Sequence, residues 1–117
     1  MYEKLLPIGS VVLLRGGSKR VMIMGYIATM EGGRDIYDYT GCLYPEGVID
    51  DESVSFFNHD DIERVYFIGF QDGEQLKFRG EVLAGIGELY VDEEGHIQER
   101  KEANPEAYNP EAYDPEA

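Results

Sequence analysis

The sequence predicts an α+β fold that is mainly β: a small, curved antiparallel β-barrel or roll, SH3-like in size, with a one-turn helix and a C-terminal helix. Three observations carry this. Short runs of β-branched and aromatic residues alternate with glycine-, proline- and aspartate-rich turns through residue 70. A glycine interrupts the longest of these runs, as a bulged and curved strand requires. The chain has 117 residues, 43% of them apolar, which suits one domain with a core that needs no disulfide.

Met1 to Leu6 is a lead-in that Pro7 stops. Ile8-Gly9-Ser10 turns into the apolar strand Val11-Val12-Leu13-Leu14, and Gly16-Gly17-Ser18-Lys19 forms a tight loop. Arg20 to Met30 is the strongest strand signal, with Gly25 as its bulge. Ile36-Tyr37-Asp38-Tyr39-Thr40 alternates apolar with polar and runs on into Cys42-Leu43-Tyr44, ending at Pro45-Glu46-Gly47. Residues 48–56 read as a loop with a short strand at most. Asn58 is a good N-cap, and Asp60 and Asp61 suit a first helical turn, so residues 57–62 predict a single turn. Arg64 to Phe70 returns to strand.

Residues 74–91 are expected to form the C-terminal helix, with Phe78, Val82, Ile86 and Leu89 on one face. Gly80, Gly85 and Gly87 each cost about 1 kcal/mol against alanine, so the first half is the better helix. The alternative for the end of this region pairs Leu89-Tyr90-Val91 with His96-Ile97-Gln98 as a hairpin across Asp92-Glu93-Glu94-Gly95. The organisation expected is therefore a β core over 1–73, a helix over 74–91, and an acidic flexible tail over 92–117. That tail carries the repeat Asn104-Pro105-Glu106-Ala107-Tyr108, Asn109-Pro110-Glu111-Ala112-Tyr113, Asp114-Pro115-Glu116-Ala117.

Composition narrows the function classes. The formal net charge is −14, from 24 acids and 10 bases. That sign disfavours phosphate backbones and anionic lipids unless Arg15, Lys19, Arg20 and Arg34 gather into a local patch. The single cysteine, Cys42, lies in an apolar run and reads as a small buried hydrophobe. No run of 18 apolar residues and no secretory signal is visible, so the expected location is cytoplasmic and no membrane insertion is expected.

No catalytic constellation, metal site or cofactor site is expected. Ser10, Ser18, Ser53 and Ser55 lie in no nucleophile elbow. Gly16-Gly17-Ser18-Lys19 lacks the spacing of a phosphate loop, and a strand follows it instead of a helix. His59-Asp60-Asp61 reads as helix capping, and Asp50-Asp51-Glu52 lacks a calcium loop's ligand spacing. Tyr90-x-x-x-Glu94 matches the outline of a type VII export signal but has no helical hairpin before it. The aromatic content points instead to protein binding: Tyr37, Tyr39, Tyr44 and Tyr66 form a candidate aromatic face, and Tyr108 and Tyr113 a candidate tail motif.

Four motifs in order extend this reading. They are Leu5-Leu6-Pro7-Ile8-Gly9-Ser10-Val11-Val12-Leu13-Leu14-Arg15-Gly16-Gly17; Val21-Met22-Ile23-Met24-Gly25-Tyr26; Gly41-Cys42-Leu43-Tyr44-Pro45-Glu46-Gly47; and Phe57-Asn58-His59-Asp60-Asp61-Ile62. Together, over roughly residues 4–73, they resemble the domain-of-unknown-function family 4176 (DUF4176). Members of that family are small cytosolic proteins often encoded beside LXG-type toxins and the small helical targeting proteins of type VII secretion. The resemblance implies a non-catalytic adaptor or chaperone whose partner is a toxin export domain or a helical targeting protein. It supplies no catalytic residues. An immunity protein that masks a toxin domain, and a small ligand-binding β-barrel using the Gly16-Gly17 and Gly32-Gly33 loops, are the alternatives.

Overall fold

The computed structural model describes residues 1–100. Five strands form one antiparallel sheet: β1 (Val11–Leu14), β2 (Val21–Ala28), β3 (Tyr37–Leu43), β4 (Ser55–Phe57) and β5 (Ile62–Phe67), in the order β4-β3-β2-β1-β5. The bulge falls where glycine predicted it. The β2–β3 register shifts between Ile23 and Gly25, and a Cβ on Gly25 would lie 2.5 Å from Thr40 Oγ1.

The sheet is not closed: β4 and β5, its two edges, do not pair. A short 3-10 turn, His59–Asp61, leads from one edge to the other. It is pinned by Asp38 N donating to Asn58 Oδ1 (3.0 Å), His59 N donating to Asp38 Oδ2 (2.8 Å) and Arg15 N donating to Asp61 O (2.9 Å). The expected cap is present with its roles exchanged. Asp61 Oδ2 accepts from Asn58 N (2.8 Å), because the Asn58 side chain is committed to Asp38. The acidic triplet near residue 50 forms a second 3-10 turn, Asp51–Ser53, capped by Asp50.

The core is Leu5, Val12, Val21, Ile23, Tyr39, Phe57 and Leu83. Tyr26 and Ile27, though consecutive, both pack against it. Ile27 sits in left-handed backbone at φ 53, which suspends the strand's alternation for one residue. Cys42 is buried, as its apolar run predicted.

The C-terminal helix is shorter than the predicted 74–91. It runs as α1 (Gly73–Lys77), capped by Asp72, and continues as a π-helical segment, Phe78–Leu83. The expected apolar face is also corrected: Val82 is 48% exposed, whereas Leu83 is 2% exposed and joins the core. A π turn holds more residues than an α turn, which brings Leu83 in place of Val82 round to the sheet, while the Phe78 ring, 41% exposed, stacks on Tyr26 at 6.3 Å. The start of the chain meets the helix end. Tyr2 N donates to Leu83 O (3.0 Å) and the Met1 ammonium to Ala84 O (2.7 Å), placing a positive charge on orphan carbonyls.

Beyond the glycines the chain takes the hairpin alternative. β6 (Leu89–Val91) pairs with β7 (Ile97–Glu99), so residues 92–99 belong to ordered structure rather than to a flexible tail. Asp92 organises the turn: its carboxylate accepts from Glu94 N, His96 N and Gln98 Nε2, and those bonds hold its pKa below the usual carboxylate range. The Tyr90-x-x-x-Glu94 match therefore lies on a β-hairpin. The pentad repeat lies outside the described residues.

Candidate partner-binding surface

The four tyrosines proposed as one aromatic face separate into three settings. Tyr39 is fully buried and belongs to the core, which corrects its assignment as a partner residue. Its ring stacks on Phe57 at 5.2 Å. Its hydroxyl accepts from Leu6 N (2.9 Å), which leaves the hydroxyl proton for His59 Nδ1, 2.7 Å away. Burial pushes the Tyr39 phenol up to about 12. His59, read from sequence as a capping residue, is thus also the polar partner of a core tyrosine. Tyr37 is half-buried and leans on Phe56 with centroids 5.9 Å apart. Tyr108 and Tyr113 lie outside the described residues.

Tyr44 and Tyr66 do come together, around Arg20. The Arg20 guanidinium carbon lies 5.5 Å from the Tyr44 ring centre and 5.1 Å from that of Tyr66. Arg64 covers the Tyr66 ring as well, at 5.0 Å. Local chain geometry sets this up. Arg20 immediately precedes β2, and Tyr44 N donates to Arg20 O (2.9 Å) one residue beyond β3. On β5, the register shift opposite Val11 and Val12 leaves Tyr66 unpaired between Val65 and Phe67. The result is an open groove of about 470 Å³ lined by Val11, Arg20, Met22, Tyr44, Tyr66 and Phe67.

Apolar surface continues from this groove along β5. Val65 (42%), Tyr66 (44%), Phe67 (60%), Ile68 (51%) and Phe70 (77%) are all exposed. Among the described residues β5 pairs only with β1, so its outer edge is unpaired. The end of the strand is held firmly: Gly69 N donates to the buried Ser10 Oγ (2.9 Å), which donates to Pro7 O (2.7 Å).

The four basic residues named from sequence, Arg15, Lys19, Arg20 and Arg34, have separate surroundings. Lys19 pairs with Glu46 at 2.7 Å, Arg15 donates to Asp60 O, and Arg34 donates to the carbonyls of Val91 and Asp92. Arg20 and Arg64 differ in having no carboxylate partner among the described residues. As for metals, Asp92, Glu94 and His96 place ligand atoms within 4.8 Å of one another, but the Asp92 carboxylate already holds the hairpin turn. Among the described residues, no helix is long and apolar enough to cross a membrane.

Sequence reasoning missed Arg64, Val65, Phe67, Ile68 and Phe70, and named Arg20 only as a member of a possible basic patch. The signal was the run Val65-Tyr66-Phe67-Ile68, too apolar for a strand with one wet face. It reads as a buried strand until its place at the sheet edge is known.

These features define a class: a small mainly-β protein built on one open antiparallel sheet, with an aromatic and cationic groove beside an exposed edge. The profile described as Domain of unknown function (DUF4176) matches residues 5–78, and the chain belongs to that family. The matched segment contains all five strands of the main sheet and the first part of the helix. No curated protein and no solved structure matches the chain.

Proposed function

We propose that this chain is a non-catalytic cytoplasmic adaptor or chaperone that binds an LXG-type type VII secretion toxin or its helical targeting factors. The observation that carries the protein-binding part is the exposed apolar run from Val65 to Phe70 on an unpaired sheet edge. Contiguous apolar surface of this kind marks a partner site, and tyrosine, phenylalanine and arginine are the residues that anchor such sites. The toxin part rests on the genomic company of the family that the four sequence motifs resemble.

The test is co-expression with a cognate toxin divided into its N-terminal export region and its C-terminal toxin domain, with the targeting proteins supplied separately. Co-elution with the export region or a targeting protein, lost on Phe67→Arg, is the expected result. No complex with any of them overturns the proposal. The second reading, an immunity protein, draws support from the net charge of −14, which suits a basic nuclease. It predicts capture by the C-terminal toxin domain alone. A ligand-binding barrel draws less support, because an open sheet encloses no lumen.

A further inference from the structure

We propose that the outer edge of β5 accepts an extended, acidic segment of a partner as a sixth strand of the sheet, with a partner carboxylate seated on Arg20 and Arg64. The inference concerns the chemistry of the occupant and holds whether or not the client is a toxin.

Three observations converge on this edge. First, β5 offers six residues of backbone, Ile62–Phe67, with no strand on the outer side among the described residues. An unpaired edge is a ready template for strand addition, in which main-chain hydrogen bonds supply affinity and side-chain pockets supply specificity. Second, a side-chain pocket adjoins it: the groove of about 470 Å³ lined by Val11, Met22, Tyr44, Tyr66 and Phe67. Third, Arg20 lines that groove and Arg64 covers the ring of Tyr66, one of its lining residues, and neither guanidinium has a carboxylate partner among the described residues. Arginine's planar fork is suited to bidentate carboxylate recognition.

Charge complementarity decides between occupants. Lys19, one residue away, is already neutralised by Glu46, so the open cationic positions are Arg20 and Arg64. A basic strand would bring like charges together there. A second copy of this chain would bring its own Arg20 and Arg64 to the same edge in place of the carboxylate these two guanidinia lack among the described residues. An acidic partner also feels the overall negative field, but at physiological salt that field is screened beyond about 8 Å, whereas contacts with the two guanidinia are not.

The test uses three synthetic ten-residue peptides: one alternating valine with glutamate, one alternating valine with lysine, and the glutamate peptide N-methylated at every second backbone nitrogen. Each is titrated into the full chain and followed by NMR. The glutamate peptide is expected to bind, with shifts confined to residues 62–70, Arg20 and Tyr44. Arg20→Ala with Arg64→Ala, both at exposed positions, is expected to weaken binding about tenfold or more. N-methylation is expected to abolish binding, which marks strand addition rather than simple charge attraction. Equal binding of the lysine peptide, absence of binding, or shifts at β4 would overturn the proposal. So would a peptide-free dimer through β5 seen by sedimentation, or movement of β5 resonances on deleting residues 101–117, which would assign the edge to a second copy or to the chain's own end.

Discussion

The two edges of the main sheet come from one stretch of chain, residues 55–67, and are opposite in character. The β4 edge is three residues long. It ends in Phe57, which is 2% exposed and packed on Tyr39, and it is flanked by two capped, acidic 3-10 turns. The β5 edge is six residues long, exposed over Glu63 to Phe67, and bordered by two arginines without a carboxylate partner among the described residues. Short strands and charged turns are the usual means by which proteins blunt an edge. The short β4 has such a turn on each flank, whereas the longer β5 shares only the His59–Asp61 turn at its start; strand length and exposure thus distinguish a structural edge from the edge proposed to bind, and substitutions on the two sides should have different consequences.

The largest effect is expected on the structural side. Phe57→Ala should lower unfolding free energy by about 3–5 kcal/mol, the range for a truncated buried aromatic, read as a drop in the urea midpoint. Loss of less than about 1 kcal/mol would mean that β4 is not integral to the core. Gly69→Ala comes next. A Cβ there would overlap the Ile8 carbonyl oxygen, so a cost of about 1–3 kcal/mol is expected where β5 leaves the sheet.

Tyr39→Phe should cost a similar 1–3 kcal/mol, roughly, because Leu6 N and His59 Nδ1 both lose their partner. This variant also carries a pH signature. The phenol is raised in the folded state to about 12, so its contribution is complete below the ordinary tyrosine value near 10 and is lost as pH rises towards 12. Alkaline unfolding curves should therefore fall more steeply for the wild-type chain than for Tyr39→Phe; parallel curves would contradict the buried network.

On the binding side the balance reverses. Phe67→Ala should leave stability within about 0.5 kcal/mol, as for other exposed substitutions, while weakening client binding severalfold. Smallest of all is Asp92→Asn. The depressed carboxylate stabilises the hairpin above its ordinary pKa and loses that effect as pH falls through the folded value. Faster amide exchange in β6 and β7 is expected, on substitution or on acidification, with an unchanged global midpoint.

The strands, their turns and the bulge at Gly25 were legible because each depends on local chemistry: β-branched runs, glycine tolerance and proline stops. Tyr39 was misassigned because alternation identifies two faces without saying which is buried, and both faces of β3 carry aromatic or polar residues. The helix phase failed because a 3.6-residue period assumes α geometry, and the π segment moved the buried position from Val82 to Leu83. The edge proposed to bind was hidden for a topological reason. Nothing in Val65-Tyr66-Phe67-Ile68 states that β5 pairs on one side only, and Arg20 and Arg64 meet at Tyr66 only once β5 has returned to lie beside β1.

The most direct measurement is amide hydrogen exchange on the full chain, free and saturated with the valine–glutamate peptide. Slowed exchange across Ile62–Phe67, with Ser55–Phe57 unchanged, is the predicted result. Protection at β4, or on the helix with β5 unaltered, would contradict the assignment of β5 as the binding edge.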